Sequence, residues 1–376
     1  MNTVVVKIEE NQINGNRINE SQINESQINQ NQINDSLRVH ESLYQAASIL
    51  KDGGMVAFPT ETVYGLGADA LQETAAKQIY AAKGRPSDNP LIVHIADFEQ
   101  LAPLVQEIPQ KAKKLIDVFW PGPLTLIFRK SAVVPKGTTG GLDTVAVRMP
   151  SNQIALALIR EAGVPVAAPS ANTSGRPSPT LAMHVYEDLN GRIPMIIDGG
   201  MVNIGIESTI VDVTCEPPMI LRPGYITQEM LSEVVGEVTI DPALTGPMNP
   251  EIAPKAPGMK YKHYAPKADF TMYMGTLDLV VDKINEMVEM QQNKGYKVGI
   301  IACDETVTRY PKDVTVSIGS RKDGLTISQN LYRILREFDE KEVDFIYGET
   351  FEETALGQAI MNRLLKAAGY QVERIQ

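Results

Sequence analysis

Strand-like apolar runs and helix-patterned segments take turns along most of this chain, an order that points to an α/β fold. The alternation is most regular from Ala268 onward. DFTMYMG reads as a strand, residues 277–292 as a helix and YKVGIIACD as a strand. VTVSIG is a strand, residues 325–338 a helix, VDFIYGE a strand and residues 353–368 a helix. That pattern predicts a small parallel α/β domain, and no glycine-rich nucleotide fingerprint accompanies it. A length of 376 residues leads us to expect a second domain upstream. Between the two, residues 241–266 carry Pro242, Pro247, Pro250, Pro254, Pro257 and Pro266. So long a stretch without regular structure links domains or serves function.

The upstream half opens on an edge strand at Thr3 to Glu10, followed by a repeat of period five. Ile13, Ile18, Ile23, Ile28 and Ile33 are each followed by Asn. Five residues match neither a helix nor a strand, so this reads as a polar insertion in a surface loop with no catalytic role. Leu43, Ala46, Ala47 and Leu50 then keep helical spacing up to Gly53-Gly54, with His40 a surface residue at the helix start. Residues 98–118 read as helix interrupted at Pro109, FWPGP as a rigid turn whose tryptophan packs, and PKGTTGGLDT as a glycine-rich loop. The hydrophobic content, 43%, supports real cores. The net charge of −11 argues against a broad nucleic-acid-binding surface but allows a local basic cleft. Cys215 and Cys303 stand far apart without metal-ligand spacing and read as buried free thiols. No apolar run approaches a membrane span, and no secretory signal precedes the first strand, so a cytoplasmic protein with no membrane association is expected.

Chemistry concentrates where strands empty into loops. In KGRPSDNPLIVHI, residues 83–95, a helix ending at Lys83 is stopped by Gly84, and Arg85 and Asn89 are pushed to extended conformations by the prolines after them. LIVHI is a strand with Leu91, Val93 and Ile95 on one face and Ile92 and His94 on the other. Lys83 and Arg85 suit an anionic ligand; they equally suit a basic helix end favoured by the macrodipole. MVAF opens into PTETVYGLG, where hydroxyls and glycines let a ligand approach the backbone. In VAVRMP, Val145, Val147 and Met149 share a face and Arg148 points the other way, which suits an anion or carboxylate partner, the alternative being an arginine that reaches solvent from an edge strand. VPVAAPSANTSGRPSPT delivers Ser170, Asn172, Thr173, Ser174 and Ser178 after a strand, a phosphate-cradle pattern that is neither a Walker A nor a Rossmann loop. MIIDGG, GIESTIVDVT and MILRPG are three further strands, with Ser208 and Thr209 in the second and Arg222 ending the third.

PTETVYGLG, the Lys83-Gly-Arg85 pair, Ser170-Ala-Asn172, GIESTIVD and LRPG, in this order, resemble the YrdC-type domain of threonylcarbamoyl-AMP synthases over roughly residues 36–236. The remainder is similar to the long, two-domain form of that family. The resemblance implies a YrdC-like twisted mixed β-sheet domain with flanking helices, plus a smaller Rossmann-like parallel α/β C-terminal domain. The divisions are then 1–35 for the strand and repeats, 36–236 for the catalytic domain, 237–267 for the linker and 268–376 for the C-terminal domain. The implied reaction joins L-threonine, bicarbonate or CO2, and ATP into threonylcarbamoyl-AMP with release of pyrophosphate, a nucleotidyl transfer. A downstream tRNA-modifying threonylcarbamoyl transferase complex would use the product beside the anticodon. Such chemistry needs positioning and charge neutralisation more than covalent catalysis, with Mg2+ held mainly by the ATP phosphates and no protein metal site. The resemblance assigns Thr62, His94, Arg148, Ala168 and Ser208 to L-threonine. Lys83, Arg85, Asn89, Thr144, Ser170, Asn172, Ser178 and Arg222 fall to ATP, with Lys83 and Arg85 as the catalytic cations. In the linker motif APGMKYKHYAP, Tyr261, His263 and Tyr264 are expected to help enclose the nucleotide, the alternative being a proline-stiffened spacer. Two other readings stay open: an RNA-binding module, for which weak RNA contact is expected, and a carbamoyl-adenylate domain using another carbamoyl donor.

Overall fold

The computed structural model describes residues 2–14, 30–245, 256, 263–351 and 355–376. Its larger sheet contains β1 (Val4–Lys7), β2 (Val56–Phe58), β3 (Gly65–Asp69), β4 (Ile92–His94), β5 (Leu124–Arg129) and β6 (Thr144–Arg148). It continues with β7 (Val166–Ala167), β8 (Met195–Asp198), β9 (Thr209–Asp212), β10 (Met219–Arg222) and β11 (Thr239–Ile240). The spatial order is β1-β8-β2-β3-β7-β4-β6-β5-β9-β10-β11. Pairing is mixed, as expected: β4 with β6 and β5 with β9 are parallel, β5 with β6 and β9 with β10 antiparallel.

This topology decides where a site can form. β4 and β6 run side by side and end together, with His94 opposite Arg148. β5 runs the other way and β9 follows it, so β9 begins where β6 ends, and β10 returns to the same edge. Four separate stretches of sequence therefore converge at one end of the sheet. The alternation read from LIVHI and VAVRMP holds: Leu91, Val93, Ile95, Val145, Val147 and Met149 belong to the main core. On the opposite face Ile92, Ala146, Ile127, Ile210 and Leu221 form a smaller apolar cluster closed by Ala256 of the linker.

Helix Glu73–Lys83 ends on Gly84 at φ 61°, and the Arg85 amide then donates to the Tyr80 carbonyl. Only glycine adopts that conformation without strain, which is why the helix stops there. Several expectations need correcting. The helix before Gly53 starts at Gln30, so it absorbs the last repeat, and His40, still exposed, lies well inside it. The first repeat is helical too, at Glu10–Asn14, where Ile13 packs on the core and Glu10 accepts from the Asn152 side chain. The three repeats between them lie outside the described residues. Residues 98–118 are two 3-10 turns, Phe98–Gln100 and Ala102–Leu104, before helix Gln110–Phe119. The glycine-rich loop contains a helical turn at Lys136–Thr139. Trp120 packs, as expected, with its indole N–H donating to the Leu124 carbonyl.

The C-terminal sheet holds β12 (Asp269–Met274), β13 (Val298–Ala302), β14 (Thr315–Ser317), β15 (Phe345–Glu349) and β16 (Val372–Arg374) in the order β14-β13-β15-β12-β16. Every pairing in it is parallel. The short final strand, half exposed, gave no apolar signal in the sequence. Helices Gly324–Glu340 and Ala355–Ala367 face the larger domain. Gly205 lies tight against this interface: a Cβ there would stand 2.3 Å from the Ser328 carbonyl oxygen. Around it the Ser328 hydroxyl donates to the Ile204 carbonyl at 2.6 Å, and the Gln329 amide to the Asn203 carbonyl at 2.6 Å.

Candidate active site

A cleft of about 660 Å³, partly open to solvent, occupies the sheet end where these strands converge. Of the residues expected in a site, Thr62, Arg85, His94, Arg148, Ala168, Ser170, Asn172, Ser178, Ser208, Arg222, His263 and Tyr264 line it.

Arg148 organises one half. Its Nε donates to the Gly122 carbonyl at 3.2 Å and its Nη1 to Thr62 Oγ1 at 2.9 Å, and Nη2 stands 2.7 Å from Glu61 Oε1. Both charged side chains are almost fully buried. The carboxylate partner demanded by an arginine in an apolar strand is therefore Glu61, a residue the sequence reading quoted in its motif but did not assign. Two of the five guanidinium N–H groups make hydrogen bonds to these neighbours, and Nη2 lies beside Glu61 as an ion pair without one, which leaves three N–H groups for an incoming carboxylate. Beside it, His94 is a neutral imidazole: burial, reinforced by the Arg148 charge, lowers its pKa to about 3. Its Nδ1 lies 3.2 Å from the Ile92 carbonyl, and its ring meets Phe58 edge-on. The Ser208 hydroxyl lies between Thr125 Oγ1, at 2.7 Å, and the Arg222 guanidinium, whose Nη2 donates to it at 3.1 Å.

The other half is the loop after β7. Ser170 Oγ donates to Asn172 Oδ1 at 2.6 Å, and the Asn172 amide donates to the Thr173 and Arg176 carbonyls. Lys83 does not line the cleft. Its ammonium sits beneath the loop and donates to the Ser170 and Asn172 carbonyls, a brace that holds the loop from behind. Burial, with Arg85 adding to it, pushes the Lys83 pKa well below the ordinary lysine range. Arg85 faces the cleft, tied by Nη2 to the Asn89 and Pro90 carbonyls, and burial lowers its pKa to about 10, so it stays cationic. Asn89 is buried outside the cleft wall, its carbonyl held by Arg85 and Tyr80. Thr144 shares the Arg148 face of β6 but starts the strand that Arg148 ends, about 13 Å away at strand rise. Tyr261 lies outside the described residues.

His263 and Tyr264 bring the linker into the cleft. Tyr264 is buried, sits at φ 64° and packs against Tyr332 of the C-terminal domain with ring centroids 5.1 Å apart and planes tilted by 32°. Two further charged residues that line the cleft were not assigned from the sequence. Arg176 is paired to Asp188, and Glu207 accepts from Ser178, Tyr332 and Arg363. The signal was present in each case, a charged residue inside a hydroxyl-rich loop, but nothing local distinguished it from a solvated one. Among the described residues no cluster of three or more His, Cys, Asp or Glu has metal-holding geometry, and no helix is long and apolar enough to cross a membrane.

Known proteins are similar to this chain over most of its length. The family model described as Telomere recombination matches residues 48–224, and that described as Threonylcarbamoyl-AMP synthase, C-terminal domain, matches residues 226–369. The chain is 52% identical over 330 residues to the threonylcarbamoyl-AMP synthase of Pyrococcus abyssi, covering 88% of this chain and 95% of that one. To the Bacillus subtilis protein of the same name it is 50% identical over 332 residues, covering 88% and 94%. The crystal structure of P. abyssi Sua5 complexed with L-threonine matches with a TM-score of 0.86 at 46% identity, over 100% of both chains. By sequence and by fold, this chain belongs to the threonylcarbamoyl-AMP synthase family.

Proposed function

We propose that the protein is an L-threonylcarbamoyladenylate synthase, a nucleotidyltransferase that uses L-threonine, bicarbonate or CO2, and ATP. The observation that carries this reading is the pairing of His94 with Arg148 at one strand end, opening directly onto the Arg85 and Ser170–Asn172 wall. The first half suits an amino acid: a guanidinium fork with N–H groups to spare for a carboxylate, and hydroxyls of Thr62 and Ser208 for the remaining polar groups. The second suits a polyphosphate, with Arg85 and Arg222 as cations and a hydroxyl-rich loop braced by Lys83. A phosphate oxygen would replace Asn172 Oδ1 as the acceptor for the Ser170 hydroxyl.

In this reading the threonine amine adds to CO2 with loss of a proton, or to bicarbonate with loss of water, to form a carbamate. A carbamate oxygen attacks the α-phosphorus of ATP, and the bond to pyrophosphate breaks. Arg148 and His94 orient the amino acid, and Arg85 and Arg222 offset the charge that accumulates on the leaving group. Glu207 is the one carboxylate on the cleft wall among the described residues, and Arg363, Tyr332 and Ser178 already engage it. The chain's own donors thus do not fit a resident cation, and Mg2+ would arrive on the phosphates of ATP. The product would pass to a tRNA-modifying transferase complex. Supplying ATP, bicarbonate and one amino acid at a time, and measuring pyrophosphate, tests the reading. Release should depend on threonine, and release indifferent to the amino acid would refute it.

A further inference from the structure

Glu207 is a point at which side chains of the C-terminal domain reach the cleft wall. Its carboxylate accepts from Tyr332 at 2.9 and 3.1 Å and from Arg363 Nε at 3.0 Å, and both donors stand on helices of the C-terminal domain. Arg363 Nη1 also donates to the Pro223 carbonyl at 2.6 Å, in the turn directly after Arg222. On the cleft side, Ser178 Oγ donates to Glu207 Oε1 at 2.6 Å. A serine hydroxyl has one proton, and this one is spent on a carboxylate, so what Ser178 offers the cleft is lone pairs. A phosphate oxygen cannot use them, and the Glu207 charge beside it would repel one. The Arg363 and Arg222 guanidiniums hold the Glu207 pKa at about 2 despite burial, so the carboxylate stays ionised and the polarity is fixed.

We propose that Glu207 is a positioning residue, set by Tyr332 and Arg363 of the C-terminal domain, that fixes Ser178 as a hydrogen-bond acceptor for the sugar or base of the bound nucleotide. This rests on ATP as a substrate and goes beyond it: the C-terminal domain helps decide which nucleotide the catalytic domain prefers. The recognised group is a neutral donor, either a ribose hydroxyl or the adenine amine.

Calorimetric binding of ATP, 2′-deoxy-ATP, 3′-deoxy-ATP and inosine triphosphate to the full chain separates the two sources. One of the three donor-lacking nucleotides should bind the unaltered protein roughly tenfold more weakly than ATP, the worth of one hydrogen bond. Ser178→Ala should erase that ratio. Glu207→Gln should erase it as well, because a carboxamide N–H facing Ser178 frees the hydroxyl to donate. Tyr332→Phe, the milder change, should reduce the ratio and leaves the proposal falsifiable if Glu207→Gln does not fold. Threonine affinity should not move in any variant. Equal binding of all four nucleotides to the unaltered protein, or a ratio unchanged in Glu207→Gln or Tyr332→Phe, would overturn the proposal. Pyrophosphate release with threonine is scored separately, so failure of the assigned reaction would show there and not in the binding ratios.

Discussion

Arg148 is held on its inner edge by Gly122, Thr62 and Glu61, which aims the rest of the guanidinium at the cleft. A lysine at that position keeps the charge opposite Glu61 but loses the planar fork. Arg148→Lys should therefore raise the threonine KM by roughly 30- to 100-fold, the cost of one charge-assisted bond, with little change in the ATP KM. Steady-state kinetics with each substrate varied in turn will check this, and equal loss on both substrates would remove Arg148 from the amino-acid side. Histidines give a second prediction. Burial lowers the pKa of His94, His184 and His263 from 6.5 to about 3, with nearby guanidiniums adding to it. The unfolded chain takes up these protons near pH 6.5, whereas the native chain resists them until about pH 3. Stability is thus fully present above pH 6.5 and falls as pH drops toward 3, by up to about 1.4 kcal/mol per pH unit for each group. Urea denaturation between pH 7.5 and 4.5 should show that decline, and a flat profile would contradict the buried neutral imidazoles.

At the scale of elements, the helix from Glu73 to Lys83 connects fold and site, because its last residue braces the Ser170–Asn172 loop and its cap sets the path of Arg85. Gly84 has open space where a Cβ would go, so Gly84→Ala isolates the conformational cost of φ 61°. A loss of about 1 kcal/mol is expected, a shift of a few degrees in thermal unfolding. An unchanged melting temperature would contradict the left-handed cap. Strand faces were legible from sequence because period-two alternation is a local property: LIVHI and VAVRMP placed His94 and Arg148 away from the main core on pattern alone. The depth of Lys83 was not legible. Lysine at a helix end has the same signature whether its stem turns outward or runs under a loop 87 residues later in sequence. Asn89 and Thr144 illustrate the same limit, since family position placed them on the nucleotide side while Asn89 is buried in the bend before β4 and Thr144 lies at the opposite end of β6 from Arg148.

For the whole molecule, the domain interface was the least legible feature. Glu207 meets Tyr332 and Arg363 at separations of 125 and 156 residues, and no local pattern encodes a partner that distant. Arg336 likewise crosses the interface to Asp188 and to the Pro177 carbonyl, next to Ser178. The C-terminal domain is thus held against the catalytic domain by specific buried contacts. Gly205 tests their importance. It sits at φ 88° against the Ser328 backbone, so Gly205→Ala adds strain and a clash, costing about 2–4 kcal/mol of docking. Proteolysis should then separate the two domains more readily, with ATP affinity falling. Unchanged resistance to protease would mean that the interface tolerates a gap.

The central claim is that this cleft builds one molecule from three substrates. Incubation with labelled bicarbonate, L-threonine and ATP, followed by mass spectrometry of the adenylate formed, addresses it most directly. A single adenylate carrying both the bicarbonate carbon and the whole of threonine is the predicted product. An adenylate that lacks the one-carbon unit, or that forms equally well without threonine, would contradict the account.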